Sequence, residues 1–250
     1  MELNSVVKRK LLHIVFSLAL LIPLTPVYSH TVARIAGCTP HEVIATTYVA
    51  IALGAMFFNS LQIRLPSFRE NALSIVRDVR KKVVAQLRQA SRRGKLVEAL
   101  AQYLEELDKI FDRAEDRMLN LIREVERDYE KRFGYVAVTF AVASTAFSYI
   151  LFGTYVMWGI LALAIVDGVS AIVTSIVPKP RIAKHSIPSM LATYATFLTL
   201  ATAVSHDLSK SAVLSLVALV TEMLSPEDNL TLPLIVSAAA LLLSMPAPPP

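Results

Sequence analysis

Apolar residues arrive in long blocks along this chain rather than in the short alternating runs of a soluble domain. Seven blocks, 11–28, 43–61, 134–153, 155–177, 187–204, 209–224 and 230–245, approach the roughly 20 mostly apolar residues that a bilayer-crossing helix needs. The sixth is short, so the pattern predicts an all-α, polytopic integral membrane protein with six or seven transmembrane helices. One extended hydrophilic region, 64–133, separates the second block from the third. Within it Leu100, Leu104, Leu107, Phe111, Ala114, Met118, Leu121 and Val125 recur in alternating steps of four and three, the heptad seam of a coiled coil. Val76, Val79 and Val83 start a weaker stripe upstream. Pro66 and Ser67 suit a helix start and Gly94 a helix stop, which predicts a helical hairpin over 68–92 and 95–132. At 1.5 Å per residue the second arm is about 57 Å long. Its seam predicts a helical partner, either the first arm or a second protein, including a second copy of this chain. The chain ends in a short Pro-rich stretch, 246–250, expected to be disordered. Four parts result: membrane helices in 1–63, the hairpin in 64–133, a membrane core in 134–245 and the tail.

Composition agrees with the blocks: 54% of the 250 residues are hydrophobic and only 18% charged. Cys38 is the sole cysteine, which excludes an intrachain disulfide and a cysteine-rich metal site. The net charge of +5 would suit nucleic acid if the basic residues formed one patch, but they follow the blocks instead. Lys8, Arg9 and Lys10 precede the first block, 17 Lys and Arg lie between 62 and 133, and Lys179, Arg181 and Lys184 follow the fourth. With seven spans these regions share one face, and only Arg34 and Lys210 fall on the other. The positive-inside rule makes the basic face cytoplasmic, with the N-terminus and the hairpin inside. The basic excess then reads as topology and attraction to anionic lipid. A cleaved signal peptide is the alternative for the first block, although its apolar stretch is long for one.

Asp167 interrupts the apolar run GILALAIVDGVSAIVTSIV, where a charge costs roughly 2.5–3.5 kcal/mol on insertion scales. In the predicted topology it lies in the cytoplasmic half of its span. Lys184, His185 and Ser186 follow in a cytoplasmic loop, Glu222 ends the sixth block on that side, and Asp228 and Asn229 sit in the next cytoplasmic loop. Arg9, Lys10 and His13 begin the first span on the same face. Carboxylates of this kind suit Mg²⁺, a hard cation that takes carboxylates together with substrate phosphates. Lys and Arg neutralise phosphate charge as it moves. Phosphoryl or nucleotidyl transfer to a lipid is the chemistry that fits. Each residue also has a structural reading. Asp228 and Asn229 suit a helix cap, Asp167 suits interhelical polar glue, Glu222 suits snorkelling to water, and His13 and His185 suit interfacial positions.

The runs RKLLHI (Arg9–Ile14), VDGVSAIV (Val166–Val173), KHSIPSMLA (Lys184–Ala192) and TEMLSPEDNLTLPL (Thr221–Leu234), in this order, resemble the CTP-dependent isoprenoid-alcohol kinases, the dolichol kinase and phytol kinase relatives. The segment 131–153 is similar to that family's span after its hydrophilic loop. The resemblance covers nearly all the spans but not the long hairpin. It implies phosphorylation of the hydroxyl of a membrane isoprenoid alcohol (dolichol, polyprenol, phytol or geranylgeraniol), with CTP as donor and Mg²⁺ as cofactor. It also implies catalytic roles for Asp167, Asp228, Asn229 and Glu222, with Asp167 and Asp228 holding the metal, and nucleotide contacts from Lys184, His185, Ser186, Arg9 and Lys10. The sequence departs from the family at Val166 and Thr174, where the family has glycines that let backbone approach a phosphate. Competing readings are a phosphatidate cytidylyltransferase-like enzyme, whose C-terminal signature is not present, a catalytically degenerate membrane scaffold presenting the hairpin, and a transporter.

Overall fold

A computed structural model describes residues 3–64, 135–178, 180–182 and 184–249, with further positions between 77 and 117. Two compact units result, one from Met1–Phe58 with Tyr135–Pro250, the other Asn59–Gly134.

The first unit is a bundle of helices: α1 (Leu3–Ala19), α2 (Pro26–Ala36), α3 (Pro40–Arg64, its end in the second unit), α4 (Val136–Phe152), α5 (Val156–Ile176), α6 (Ile187–Ser205), α7 (Leu208–Leu224) and α8 (Asp228–Leu242). Local chemistry sets many of the boundaries. Thr39 and Glu42 form a reciprocal capping box at the start of α3: the Thr39 N–H donates to Glu42 Oε2 at 2.8 Å, and the Glu42 N–H to Thr39 Oγ1 at 3.3 Å. Asp207 caps α7 by accepting from the Lys210 N–H, and Ser186 caps α6 by accepting from the Ser189 N–H. Gly37 ends α2 in the left-handed conformation, φ 69°, that glycine adopts without penalty. A two-stranded antiparallel pair, β1 (Arg181–Ile182) with β2 (His185–Ser186), folds the loop after α5 back towards α6.

α5 is the central element, packed against α1, α6 and α8. Its Trp158, Leu163 and Val166 join Phe197, Leu214, Leu232 and Val236 in one buried cluster, while Val156 and Ile160 join Tyr48 and Tyr149 in another. Two glycines set the distances of α5 to its neighbours. A Cβ on Gly159 would lie 2.3 Å from the Pro233 carbonyl oxygen, and one on Gly168 would lie 2.7 Å from Ile14. At Gly159 the obstacle is backbone, so α8 approaches α5 more closely than any other residue would permit, whereas at Gly168 it is the Ile14 side chain of α1.

Among the described residues three stretches are long and apolar enough to cross a membrane: Pro40–Arg64, Ile187–Ser205 and Val136–Ile176, the last broken at Gly153. A fourth joins them if the bent pair Val6–Leu24 and Pro26–Ala36 counts as one span. Large apolar side chains such as Phe16, Phe57, Ile150 and Leu191 stand exposed, as lipid-facing residues do. The chain is consistent with a membrane protein, at a coarser span count than the six or seven expected. The difference has physical causes. The first apolar block does not make one straight helix, because Pro23 and Pro26 bend it by 51°. α7 and α8 have only 17 and 15 residues, short of a full crossing by length alone.

The tail is tied at its first residue, where the Pro246 carbonyl accepts from the Trp158 indole N–H at 2.8 Å. Most of the expected hairpin lies outside the described residues. Among those described in the second unit, 77–79, 81–83, 85–86 and 109–113 are helical, and Arg77 Nε lies 3.7 Å from Asp112 Oδ1.

Candidate functional site

Three carboxylates, from Asp167, Glu222 and Asp228, each present an oxygen within 4.8 Å of the others. They come from three helices, α5, α7 and α8, and each is met by a basic partner from another segment.

Asp167 is buried midway along α5. Lys10 Nζ donates to its Oδ1 at 2.5 Å, and His13 Nε2 lies 3.0 Å from its Oδ2. Lys10 and His13 are three residues apart on α1 and so share a helix face. Gly168 beside Asp167 has no side chain to hold α1 away, and this lets both basic groups reach the carboxylate. Ser17, a turn further along α1, stands 3.5 Å from His13 Nε2. Arg9 adjoins Lys10 on α1 and is half-buried.

Glu222 is fully buried, and the Ser170 hydroxyl donates to its Oε1 at 3.0 Å. Its Oε2 lies 2.5 Å from His185 Nε2, but out of hydrogen-bonding alignment. Both of those atoms and His185 Nδ1 are thus buried without a hydrogen bond. Buried polar atoms normally find partners, so this is a place where a ligand atom would complete the structure.

Asp228 accepts from Lys184 Nζ at 2.5 Å, and the same ammonium reaches the Ser225 carbonyl at 3.2 Å. Asp228 stands ahead of the apolar part of α8, and burial pushes its carboxyl up to about 6. Lys184 pulls against that shift, while the charges of Glu222 and Asp167 add to it. Burial thus outweighs the ammonium in contact, which by itself would hold the carboxyl low.

Not every expected residue faces this cluster. Ser186 is engaged as the α6 cap and its own N–H donates to Thr174 Oγ1 at 3.4 Å. Asn229 donates from Nδ2 to Glu227 Oε1 at 2.8 Å and buries an Oδ1 without a partner. Helix capping does not explain Asp228 either. Glu227 holds the cap position of α8 with no side-chain cap bond, and Asp228 turns to Lys184. Lys179 lies outside the described residues.

Sequence reasoning did not single out Ser170, Ser189 or Gly168. Ser170 joins α5 to Glu222, and Ser189 donates to the Ser170 carbonyl at 2.7 Å, fastening α6 to the same turn. Their signal was present as the spacing Asp167, Gly168, Ser170, which places the acid and the hydroxyl one turn apart.

The donor set fits Mg²⁺: hard carboxylate oxygens close together, with ammonium groups within reach of any phosphate bound beside them. Comparisons of the chain with protein-family models, with curated proteins and with solved structures found no match in any of the three.

Proposed function

We propose that the protein is a CTP-dependent kinase that phosphorylates the hydroxyl of a membrane isoprenoid alcohol (dolichol, polyprenol, phytol or geranylgeraniol). The observation that carries this reading is the convergence of Asp167, Glu222 and Asp228 with Lys10 and Lys184 in one place. Acidic groups for a divalent cation beside cations for phosphate are the requirement of phosphoryl transfer. The order of motifs noted in the sequence supplies the donor and the substrate class.

Asp167, Asp228 and Glu222 would hold Mg²⁺, which when bound screens phosphate charge and orients the donor. Lys10 and Lys184 then face the phosphate oxygens, and Arg9 adds charge beside Lys10. The alcohol oxygen bonds to the γ-phosphorus, the bond to the β,γ-bridging oxygen breaks, and CDP departs. The hydroxyl proton passes to a carboxylate of the cluster. Seven crossings (α1, α3, α4, α5, α6, α7 and α8), with the N-terminus inside, put the site at the cytoplasmic end, where CTP is available and a lipid alcohol enters sideways from the bilayer. Short α7 and α8 suit this arrangement, since a site at the membrane surface needs their ends to stop short of it.

Purified membranes given γ-labelled CTP, Mg²⁺ and a panel of alcohols from geranylgeraniol to dolichol should transfer label to a lipid phosphate. Omitting Mg²⁺ should abolish the transfer. Absence of label in every lipid from well-folded protein would overturn the kinase reading.

A second reading, a membrane scaffold presenting a hairpin, draws on the Arg77–Asp112 contact. These residues lie 17 and 18 positions on either side of Gly94, as cross-arm partners of a hairpin turning there would. Val79, Val83 and Ile110 are exposed apolar residues on the same unit. Deleting 68–132 separates the two readings. A scaffold loses its cellular role on deletion and keeps it with Asp167→Asn, and a kinase does the reverse.

A further inference from the structure

We infer that Lys10 and Lys184 exchange between carboxylate and phosphate, so that a divalent cation and a phosphate-bearing anion enter this site only together. The inference rests on the kinase reading and adds to it an order of events.

Both oxygens of Asp167 are occupied, one by Lys10 and the other by His13, and Lys184 occupies Oδ1 of Asp228. A divalent ion arriving alone must share those oxygens with an ammonium about 4 Å away or displace it. Like charges that close repel strongly in a partly buried site, and a divalent ion doubles the effect of a unit charge. Displaced without a new partner, each lysine would be a cation beside a buried site with nothing to neutralise it.

Charge decides the rest. Three carboxylates against two ammonium groups leave these five side chains at a formal −1. A divalent cation alone reverses that to +1, and an anion alone deepens it. Cation and phosphate together keep the balance, because the lysines released by the metal find phosphate oxygens at once. Lysine suits the exchange, being a point charge on a flexible stem rather than a fixed fork. Lys184 sits in the turn between β1 and β2 and is partly exposed, so it is free to swing, while Lys10 needs only its side chain to move.

Glu222 offers the cation of that pair a carboxylate that no lysine holds. It is the one carboxylate of the three without a lysine, and its buried Oε2 makes no hydrogen bond. A ligand atom there meets the His185 imidazole, whose Nε2 lies 2.5 Å from the same oxygen, rather than an ammonium.

The test is equilibrium dialysis of Mn²⁺, standing in for Mg²⁺, against the full-length protein in detergent. Free Mn²⁺ is held fixed and inorganic pyrophosphate is present or absent. Wild type should bind Mn²⁺ at least about tenfold more tightly with pyrophosphate, and Mn²⁺ should tighten pyrophosphate by the same factor. Lys184→Met should bind Mn²⁺ alone about tenfold more tightly than wild type and lose most of the pyrophosphate effect. Lys10→Met should do the same if it folds; the half-exposed Lys184 site does not depend on that. Equal Mn²⁺ affinity with and without pyrophosphate, or an unchanged affinity in Lys184→Met, would overturn the exchange. Those results alongside label transfer to lipid would leave the kinase reading standing. Failure of wild type and both variants to bind Mn²⁺ under any condition would remove the kinase reading as well.

Discussion

Gly159→Ala is expected to be the most damaging single-methyl substitution in the bundle, with a loss of roughly 3 kcal/mol or more. Helix propensity works the other way, since alanine is favoured over glycine in a helix interior by about 1 kcal/mol. The clash must therefore exceed that gain. The new Cβ would stand 2.3 Å from the Pro233 carbonyl oxygen, 2.8 Å from Pro233 Cα and 2.4 Å from Ser237 Oγ. Two of those three atoms are backbone, so relief requires α8 to move as a body. Moving α8 strips contacts from Leu232 and Val236, both fully buried in the cluster around α5. Overpacking a dense core typically costs 1–3 kcal/mol, and a backbone obstacle lies at or above the upper end. Trimming Ser237 to glycine in the same chain should recover little, because the carbonyl remains in the way. Gly168→Ala differs in kind. Its obstacle is the end of the Ile14 side chain, 2.7 Å away, which can rotate. That variant should fold, with α1 displaced slightly and with Lys10 and His13 drawn back from Asp167. Thermal unfolding and monodispersity in detergent measure the first effect, and label transfer the second. A Gly159→Ala protein as stable as wild type would show that α8 does not pack against α5 as described.

The same glycine shows where sequence reading stopped. A glycine within an apolar run has no periodic signature, and its importance comes from a helix that lies about 75 residues away in the chain. Charged residues in apolar surroundings are legible for the opposite reason. Asp167 and Glu222 cost energy wherever they are buried, so each announces a partner or a ligand, and the fold brings both into one cluster. Lys184 and Asp228 followed from the same placement. What the sequence could not supply was the pairing: Lys10 rather than Arg9 meets Asp167, because a helix turns 100° per residue and only one of two neighbours faces inward. His13 joins Lys10 by the same rule, three residues on, although its place near a helix end suggested an interfacial role. The apolar blocks are legible as a pattern, but among the described residues they give three or four stretches long enough to cross a membrane rather than six or seven straight spans. Pro23 and Pro26 bend the first, and polar residues shorten the last two. The heptad seam around Phe111 remains a statement about sequence, with its register mostly outside the described residues.

Asp167→Asn is expected to lower label transfer to lipid by at least about 10³-fold, equivalent to about 4 kcal/mol of barrier. The substitution keeps the shape of the side chain and removes its charge, and with it one of the three carboxylates of the cluster. Loss of activity alone would not separate catalysis from folding, because the amide also leaves the Lys10 ammonium buried against a neutral group. Removing one partner of a buried pair costs about 3–5 kcal/mol, whereas replacing both by neutral residues of similar size is often close to neutral. Asp167→Asn combined with Lys10→Met therefore divides the two effects. The double variant should regain most of the stability that the single variant loses, read by thermal unfolding in detergent. Its label transfer should stay at the level of the single variant, since neither the Asp167 carboxylate nor the Lys10 ammonium has returned. His13 makes the comparison sharper. It stays beside residue 167 in both variants, so a histidine able to act without the carboxylate would show itself as residual transfer common to both. Turnover restored together with stability would mean that Asp167 and Lys10 only fasten α1 to α5, and that the chemistry belongs to Glu222, His185 and Asp228 without them.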